Sequence, residues 1–346
     1  MAKKTTLISL DIGSRELKAV AGTVTDGQLK VAAMKTISMP PDIYNNGLIL
    51  DEAELRKVLV ELLRSLKFKT KHVAVSFESN DVIKREILVP AVASSDLSDL
   101  VRYEITDYLP IDIDTYVLQH RVIGTADEGK QRVMVAAIPD ATVGGFFRLI
   151  SSAGYSPVLM DLQSNGIEQM VTRSGQFQDG NYALIDIGAR FLNVLLFENG
   201  KFVFNRIITM GMQIFDAPLA KLAGSPILHE FGLTGMWLAY RSGGLVDREM
   251  SMEHRYALDE VVLCMDQFLD EIDKVFKFYI SREPRSAIHK VRIFGGGALV
   301  HSMTDVFERK FEIHTSVLEL SDFVTVAPAR ENALYINAAS IMLGGL

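Results

Sequence analysis

The sequence predicts a two-lobed α/β fold built from a duplicated unit, and three observations predict it. Residues 7–22, LISLDIGSRELKAVAG, and residues 183–197, ALIDIGARFLNVLLF, share one pattern: a buried apolar strand ending in Asp-Ile-Gly, a turn carrying Arg, and a returning apolar strand. Asp11, Gly13, Arg15 and Leu17 hold the places that Asp186, Gly188, Arg190 and Leu192 hold in the second copy. Each copy then runs through a hairpin turn, Asp26-Gly27 or Asn199-Gly200, into a third strand. At 346 residues and 48% hydrophobic, the chain is long enough to give each copy a lobe with its own core.

The remaining elements follow in order. Residues 31–39 form the third strand, and Pro40-Pro41 ends the first sheet. Residues 51–66 read as an amphipathic helix with Leu55, Val58, Leu59, Leu62 and Leu63 on one face, capped by Asp51 with Glu54 three residues on. Strands at 72–77 and 83–89 are expected to complete the first sheet. Residues 94–154 read as an inserted module of helix (97–109, stopping at Pro110), hairpin (116–123 and 132–138, turn 124–130) and helix (140–153, ending at Gly154). A helix at 161–174 links the lobes, and another occupies 213–223. The stretch 226–249, which holds Trp237, shows no readable period. Residues 256–279 form a long helix burying Val261, Met265, Phe268, Leu269, Ile272, Val275, Phe276 and Tyr279, with Cys264 as a small core residue. A strand at 291–294 runs into Gly295-Gly296-Gly297-Ala298 and a helix at 299–311, and a last helix spans 330–343.

Bulk properties narrow the function. A net charge of −7 argues against nucleic acid or an anionic membrane as the main partner. One cysteine excludes an internal disulfide and fits a reducing compartment. The N-terminal apolar run stops at Asp11, unlike a signal peptide, and no stretch reaches the roughly 18 apolar residues of a membrane span. A cytoplasmic protein is expected. The seven histidines are scattered without metal-ligand spacing, and neither a Gly-x-Ser-x-Gly elbow nor a Walker loop occurs.

The Asp-Ile-Gly turns carry the chemistry. Gly13 lets backbone N–H groups approach an anion, Ser14 adds a hydroxyl donor, and Lys18 adds a point charge suited to phosphate. Asp11 is placed to hold Mg²⁺ through water, as that ion prefers carboxylates, waters and phosphates. A single copy reads as an ordinary hairpin; two matching copies favour a pair of phosphate loops. The glycine turn at 295–298 is either a tight packing turn or a nucleotide turn, for Val300 stands where a dinucleotide fingerprint has its third glycine.

Asp-x-Gly-x-x-x-x-Lys followed by a second Asp-x-Gly resembles the two phosphate loops of the actin-like ATPase fold, with its duplicated ribonuclease H-like lobes, shared by actin, sugar kinases and FtsA. LDIGSRELKAV, YEITDYLPIDIDTYVLQHRVIG, VMVAAIP and ISSAGYSPVLMDLQ are most similar to the PilM family of type IV pilus assembly proteins, including the inserted subdomain that FtsA and PilM carry. The resemblance implies a first lobe from residues 1–90, 158–180 and 330–346, an inserted subdomain at 91–157 and a second lobe at 181–329. It implies ATP or ADP with Mg²⁺ between the lobes. Gly13, Ser14, Arg15, Lys18, Gly188, Ala189 and Arg190 would hold phosphates, Asp11 and Asp186 would hold the ion through water, and Gly295, Gly296, Gly297 and Ala298 would lie against adenosine. Glu271 and Lys274 would lie on the purine-side helix.

What the resemblance implies for function is a scaffold at the inner face of the cytoplasmic membrane. It grips the cytoplasmic tail of PilN, a single-span protein, and joins it to the pilus motor apparatus; self-association stays open. The sequence departs from the family in its second loop, where Phe191 and Leu192 replace hydroxyl residues, so hydrolysis is expected to be slow or absent. Arg190 either pairs with phosphate in compensation or is simply exposed. Asp161 and Gln163 are the candidates to orient an attacking water. A sugar- or acetate-kinase-like phosphotransferase is the alternative, and an FtsA-like filament former a third; the latter is disfavoured because no basic residue follows Arg330.

Overall fold

The computed structural model describes residues 4–109, 111–127, 129–245, 248–282 and 287–344. The first half of the chain runs β1 (Lys4–Ile12), β2 (Glu16–Thr25), β3 (Gln28–Ser38), β4 (Tyr44–Asn45), β5 (Leu48–Ile49), α1 (Glu52–Ser65), β6 (His72–Phe77), β7 (Ile83–Pro90), α2 (Ser94–Tyr108), β8 (Tyr116–Thr125), β9 (Lys130–Pro139), α3 (Asp140–Ser152), β10 (Ser156–Leu162) and α4 (Gln163–Ser174). The second runs β11 (Asn181–Ile187), β12 (Leu192–Glu198), β13 (Lys201–Ile208), α5 (Asp216–Lys221), α6 (Pro226–Arg241), α7 (Met252–Arg282), β14 (Lys290–Phe294), α8 (Met303–Phe311), β15 (Thr315–Val317) and α9 (Ile336–Gly344).

Duplication is visible in the strand order. One sheet is ordered β10-β6-β1-β2-β3 and the other β15-β14-β11-β12-β13, with the first three strands of each parallel and the rest antiparallel. Each Asp sits opposite the same step of its partner strand: Asp11 pairs with Lys18, and Asp186 with Asn193. Strand alternation then puts Leu7, Val20 and Ala74 of one sheet and Leu184, Leu195 and Phe294 of the other into a single core with α4 and α9. These two helices form the middle layer between the sheets. Outside the first sheet lie α1 and α3; α5 to α8 cover the second.

Local causes are legible. Asp51 Oδ1 accepts the Glu54 N–H at 3.0 Å, capping α1 over its buried leucine face. The long α7 buries every apolar residue expected of it, while Cys264 is half-buried beside Ile214. Helix α9 packs on the first lobe through Ile336, Ala338, Ala339 and Ile341.

Several expectations are corrected, among them the last helix, which begins at Ile336 after a 3-10 segment over Arg330–Tyr335. Strand β7 does not complete the first sheet: it pairs with β9 along its length, in a separate sheet ordered β7-β9-β8 that α2 covers. Helix α3 does not belong with that small sheet either. Its Phe146, Leu149 and Ile150 are fully buried against Leu55, Leu59 and Phe77 of the first lobe. Asp161 lies on β10, so the linking helix starts only at Gln163. The stretch after Ser225 is a helix, α6, bent at Gly232 (φ 61°). Helix α8 begins at Met303, because Ser302 adopts φ 55° and separates it from the glycine turn. The expected stop of α2 at Pro110, part of the 124–130 turn and part of the 226–249 stretch lie outside the described residues.

Candidate functional site: the interlobe cavity

The two Asp-Ile-Gly turns face one another across a cavity of about 650 Å³ between the lobes. Both turns close identically, with Gly13 N–H donating to Glu16 C=O at 3.0 Å and Gly188 N–H to Phe191 C=O at 3.0 Å. A Cβ on Gly188 would stand 2.8 Å from that same carbonyl, closer than side chains approach, and one on Gly13 3.0 Å, a tight contact, so both turns favour glycine.

Of the expected residues, Asp11, Gly13, Ser14, Arg15, Lys18, Gln163, Asp186, Gly188, Ala189, Arg190, Gly295, Gly296 and Gly297 line this cavity. Four others do not. Asp161 accepts from both Asn165 Nδ2 (2.7 Å) and Leu162 N–H (2.8 Å), and burial raises its carboxyl although these bonds oppose the shift. Ala298 is fully buried in the second-lobe core. Glu271 and Lys274 pair with each other on the outer face of α7. Arg190 is neither free nor plainly exposed: it crosses the cleft to Asn45 Oδ1 at 2.8 Å and also bonds Gln213 Oε1. Arg15 likewise crosses to Asp216, and Asn80 Nδ2 to Thr209 Oγ1 at 3.0 Å.

Lys18 is the charge at the centre. Its ammonium stands 3.4 Å from Asp11 Oδ2, and Gln163 Nε2 donates to Asp11 Oδ1 at 2.8 Å. Burial alone would lower the Lys18 pKa, but Asp11, Glu16 and Asp186 outweigh it and raise it. Tyr44, buried beside Asp11, has its phenol held protonated by that burial and by the carboxylate.

Asp186 titrates near neutrality. Burial raises its carboxyl from 3.8 to about 7, against the hydrogen bond from Asn337 Nδ2 (2.7 Å) and with help from the Asp11 charge. The folded chain therefore holds a proton that the unfolded chain releases, and this contribution to stability is complete below pH 3.8 and lost as pH rises through about 7. Asp186→Asn, which keeps the shape and does not titrate, should gain about 2 kcal/mol on the native protein between about pH 5.5 and pH 8 in urea unfolding. A pH-independent difference would place the Asp186 pKa elsewhere.

Of the polar lining residues that the sequence did not point to, three surround the two aspartates. Glu78 follows β6, and its Oε1 is buried with no hydrogen-bond partner. Asn337 of α9 holds Asp186 while its own Oδ1 is also buried and unpartnered. Asn193 stands on β12 opposite Asp186. The signal available for Glu78 was positional: β6 runs parallel to β1, so the chain leaving it emerges beside the first turn.

A family model described as type IV pilus assembly protein PilM matches residues 9–346. The chain belongs to the PilM family. Among solved structures, the chain is similar to one from a PilM–PilN type IV pilus biogenesis complex, at 21% identity and TM-score 0.77 over 99% of this chain and 98% of that one. It is also similar to ethanolamine utilization protein EutJ from Carboxydothermus hydrogenoformans, at 14% identity and TM-score 0.52 over 99% and 90%. The fold is thus the two-lobed actin-like one that PilM proteins share. Among the described residues no helix is long and apolar enough to cross a membrane.

Proposed function

We propose that this PilM-family protein is a nucleotide-binding scaffold of type IV pilus assembly, taking ATP or ADP with Mg²⁺ between its lobes and gripping the cytoplasmic tail of a PilN-like inner-membrane protein. The observation that carries the nucleotide reading is the pair of identical glycine turns facing across a cavity of ligand size, with buried Lys18 between their two aspartates. Phosphates would meet the Gly13 and Gly188 turns, Ser14 and Lys18. Phe215, Leu219, Leu233 and Val300 line the cavity with Gly296 and Gly297 and would enclose the base.

The donors fit a hydrated Mg²⁺. Asp11, Asp186 and Glu78 supply carboxylates, and the unpartnered Glu78 Oε1 and Asn337 Oδ1 are hard oxygen acceptors. The ion would be held through water and phosphate. Bound there, it would neutralise phosphate charge. Hydrolysis is slow in this reading, because Phe191 and Leu192 offer no hydroxyl donor to the transferring group.

Lys18→Ala tests the site. Loss of a charge-assisted contact of about 1.5–3 kcal/mol should weaken ATP binding at least about tenfold by calorimetry. Unchanged affinity refutes the assignment. In the same preparation, native turnover should lie well below about 10 per second; turnover near that rate, abolished by Asp11→Ala, would favour the phosphotransferase alternative.

For the partner, we take residues 83–139 as the inserted unit. Helix α3 touches both β10 of the lobe and β8 and β9 of the small sheet. Phe147, Val158, Val122 and Ile123 on these elements are exposed, and β8 and β10 are the edge strands of their sheets. An extended tail laid between two strand edges gains main-chain hydrogen bonds, with apolar side chains as anchors. Recruitment to the membrane follows from that grip, and nucleotide-driven lobe closure would reshape the groove.

A further inference from the structure

The hydroxyl that the second turn lacks is offered from the first lobe. After Pro40-Pro41 the chain makes the hairpin β4–β5, in which Asn45 pairs with Leu48 and Tyr44 with Ile49. Asn46 and Gly47 form its turn with φ 49° and 85°, the two positive angles that a type I′ turn needs and an Asn-Gly pair supplies. The turn is tied to both lobes. Asn46 Nδ2 donates to Asp81 Oδ2 at 2.9 Å, and Asn46 Oδ1 accepts the Asn80 N–H at 2.9 Å. From the other lobe, Arg190 donates to Asn45 Oδ1 at 2.8 Å.

This hairpin fixes Tyr44. The residue is only 5% exposed, and its ring lies in the first-lobe core, 6.2 Å from the ring of Phe146, yet it lines the cavity. The charges that act on its phenol are those of Asp11 and then Glu78, both cavity residues, so the phenol is the end that reaches the cavity. Burial first, then the Asp11 charge, keeps the phenol neutral against the Gly47 N–H that faces its oxygen. A neutral phenol that takes one N–H on its oxygen still has its own proton to donate, and an anionic oxygen is its strongest acceptor.

Position along the cleft decides which phosphate receives it. Asn46, Asn80, Ala189, Arg190 and Phe191 line both this cavity and a neighbouring one of about 460 Å³, in which Phe215, Leu219, Leu233 and Val300 take no part. The hairpin and the second turn therefore mark the end of the cleft remote from the base. The terminal phosphate is the part of a nucleotide farthest from its base.

We propose that the Tyr44 hydroxyl binds the terminal phosphate of ATP, in place of the hydroxyls that Phe191 and Leu192 do not provide, and so favours triphosphate over diphosphate. This rests on the reading that the cavity takes a nucleotide. A contact already present in bound ATP adds affinity and not rate, in keeping with slow hydrolysis.

The test is calorimetry of the full chain with ATP and with ADP, each with Mg²⁺. Tyr44→Phe keeps the ring packed on Phe146 and removes only the hydroxyl, so the variant should fold, as its urea midpoint will show. It should bind ATP about tenfold more weakly, the loss of one hydrogen bond to a charged group, and bind ADP as the native chain does. That split separates a terminal-phosphate contact from a change in cavity shape, which would weaken both nucleotides. An equal fall for ATP and ADP, loss of both included, or unchanged ATP affinity, overturns the role of Tyr44 and leaves the nucleotide reading standing. A native chain that binds neither nucleotide overturns both.

Discussion

A chain in which a short glycine linker replaces residues 83–139 is expected to fold, to retain ATP binding and to lose the PilN-type tail completely. The small sheet has its own core of Ile87, Val89, Val101, Ile105, Val133 and Val135, and among the described residues removed Ile138 alone belongs to the buried first-lobe cluster. Its ends are neighbours. Ile83 pairs with Ala137, and a Cβ at Gly47 would touch Ser79 at 3.1 Å and Thr142 at 3.4 Å, so the chain leaves and re-enters the lobe at one place. A linker of few residues spans such a gap at little entropic cost. Helix α3 must stay, because Phe146, Leu149 and Ile150 fill the first-lobe core and their removal would unfold it for reasons unrelated to the tail. Glu78, Ser79 and Asn80 precede the cut and keep their places in the cavity lining. Capture of the tail at full strength by the shortened, ATP-binding chain would exclude the proposed groove.

The same elements show why part of the fold was legible and part was not. Repetition carried the strongest information: Asp-Ile-Gly with a fixed offset to the returning strand gave both turns, and the structure closes each with the same 3.0 Å bond. What periodicity does not encode is which sheet an amphipathic element covers. The apolar stripe of α3 suits the small sheet and the lobe equally, and only the buried contacts of Phe146 decide. Likewise β7, with Lys84, Arg85 and Glu86 all exposed or nearly so, alternates too weakly to name its neighbour. Helix α6 had a local signal, Ser225 before Pro226 as a capping pair, but Gly232 breaks the period that would have extended it. Within the cavity, the aspartates, glycines and basic residues of the two turns were found, whereas Glu16 and Asn193 of the same units were not. Glu78 and Asn337 reach it from outside the repeat, Glu78 with only its position after β6 as a signal and Asn337 with none.

Gly166→Leu should destabilise the protein more than any other single change considered. Gly166 lies on α4 where it crosses α9, in the layer on which both sheets rest. A Cβ there would sit 2.6 Å from Ser340 Oγ, 2.8 Å from Ile341 Cγ2 and 3.1 Å from the Ile341 amide nitrogen. Neither Ser340 nor Ile341 is exposed at all, and a backbone atom cannot swing aside as a side chain can. Nearby, Gly344 approaches Gln169 just as closely, with a Cβ placed 2.6 Å from its Cβ, so the helices cannot tilt apart about the far end without losing that contact. Overpacking in a filled core costs about 1–3 kcal/mol and sometimes more, and four heavy atoms at a backbone contact belong at or above the top of that range. Gly166→Ala is the sharper comparison. Alanine gains about 1 kcal/mol of helix propensity over glycine, so a surface position would be stabilised by it. At this crossing the steric cost should win, and the urea midpoint, followed by far-UV circular dichroism, should fall for Ala and fall further or vanish for Leu. A midpoint that rises with Ala would mean that α4 and α9 are not in backbone contact, and that the layer joining the lobes is looser than these distances state.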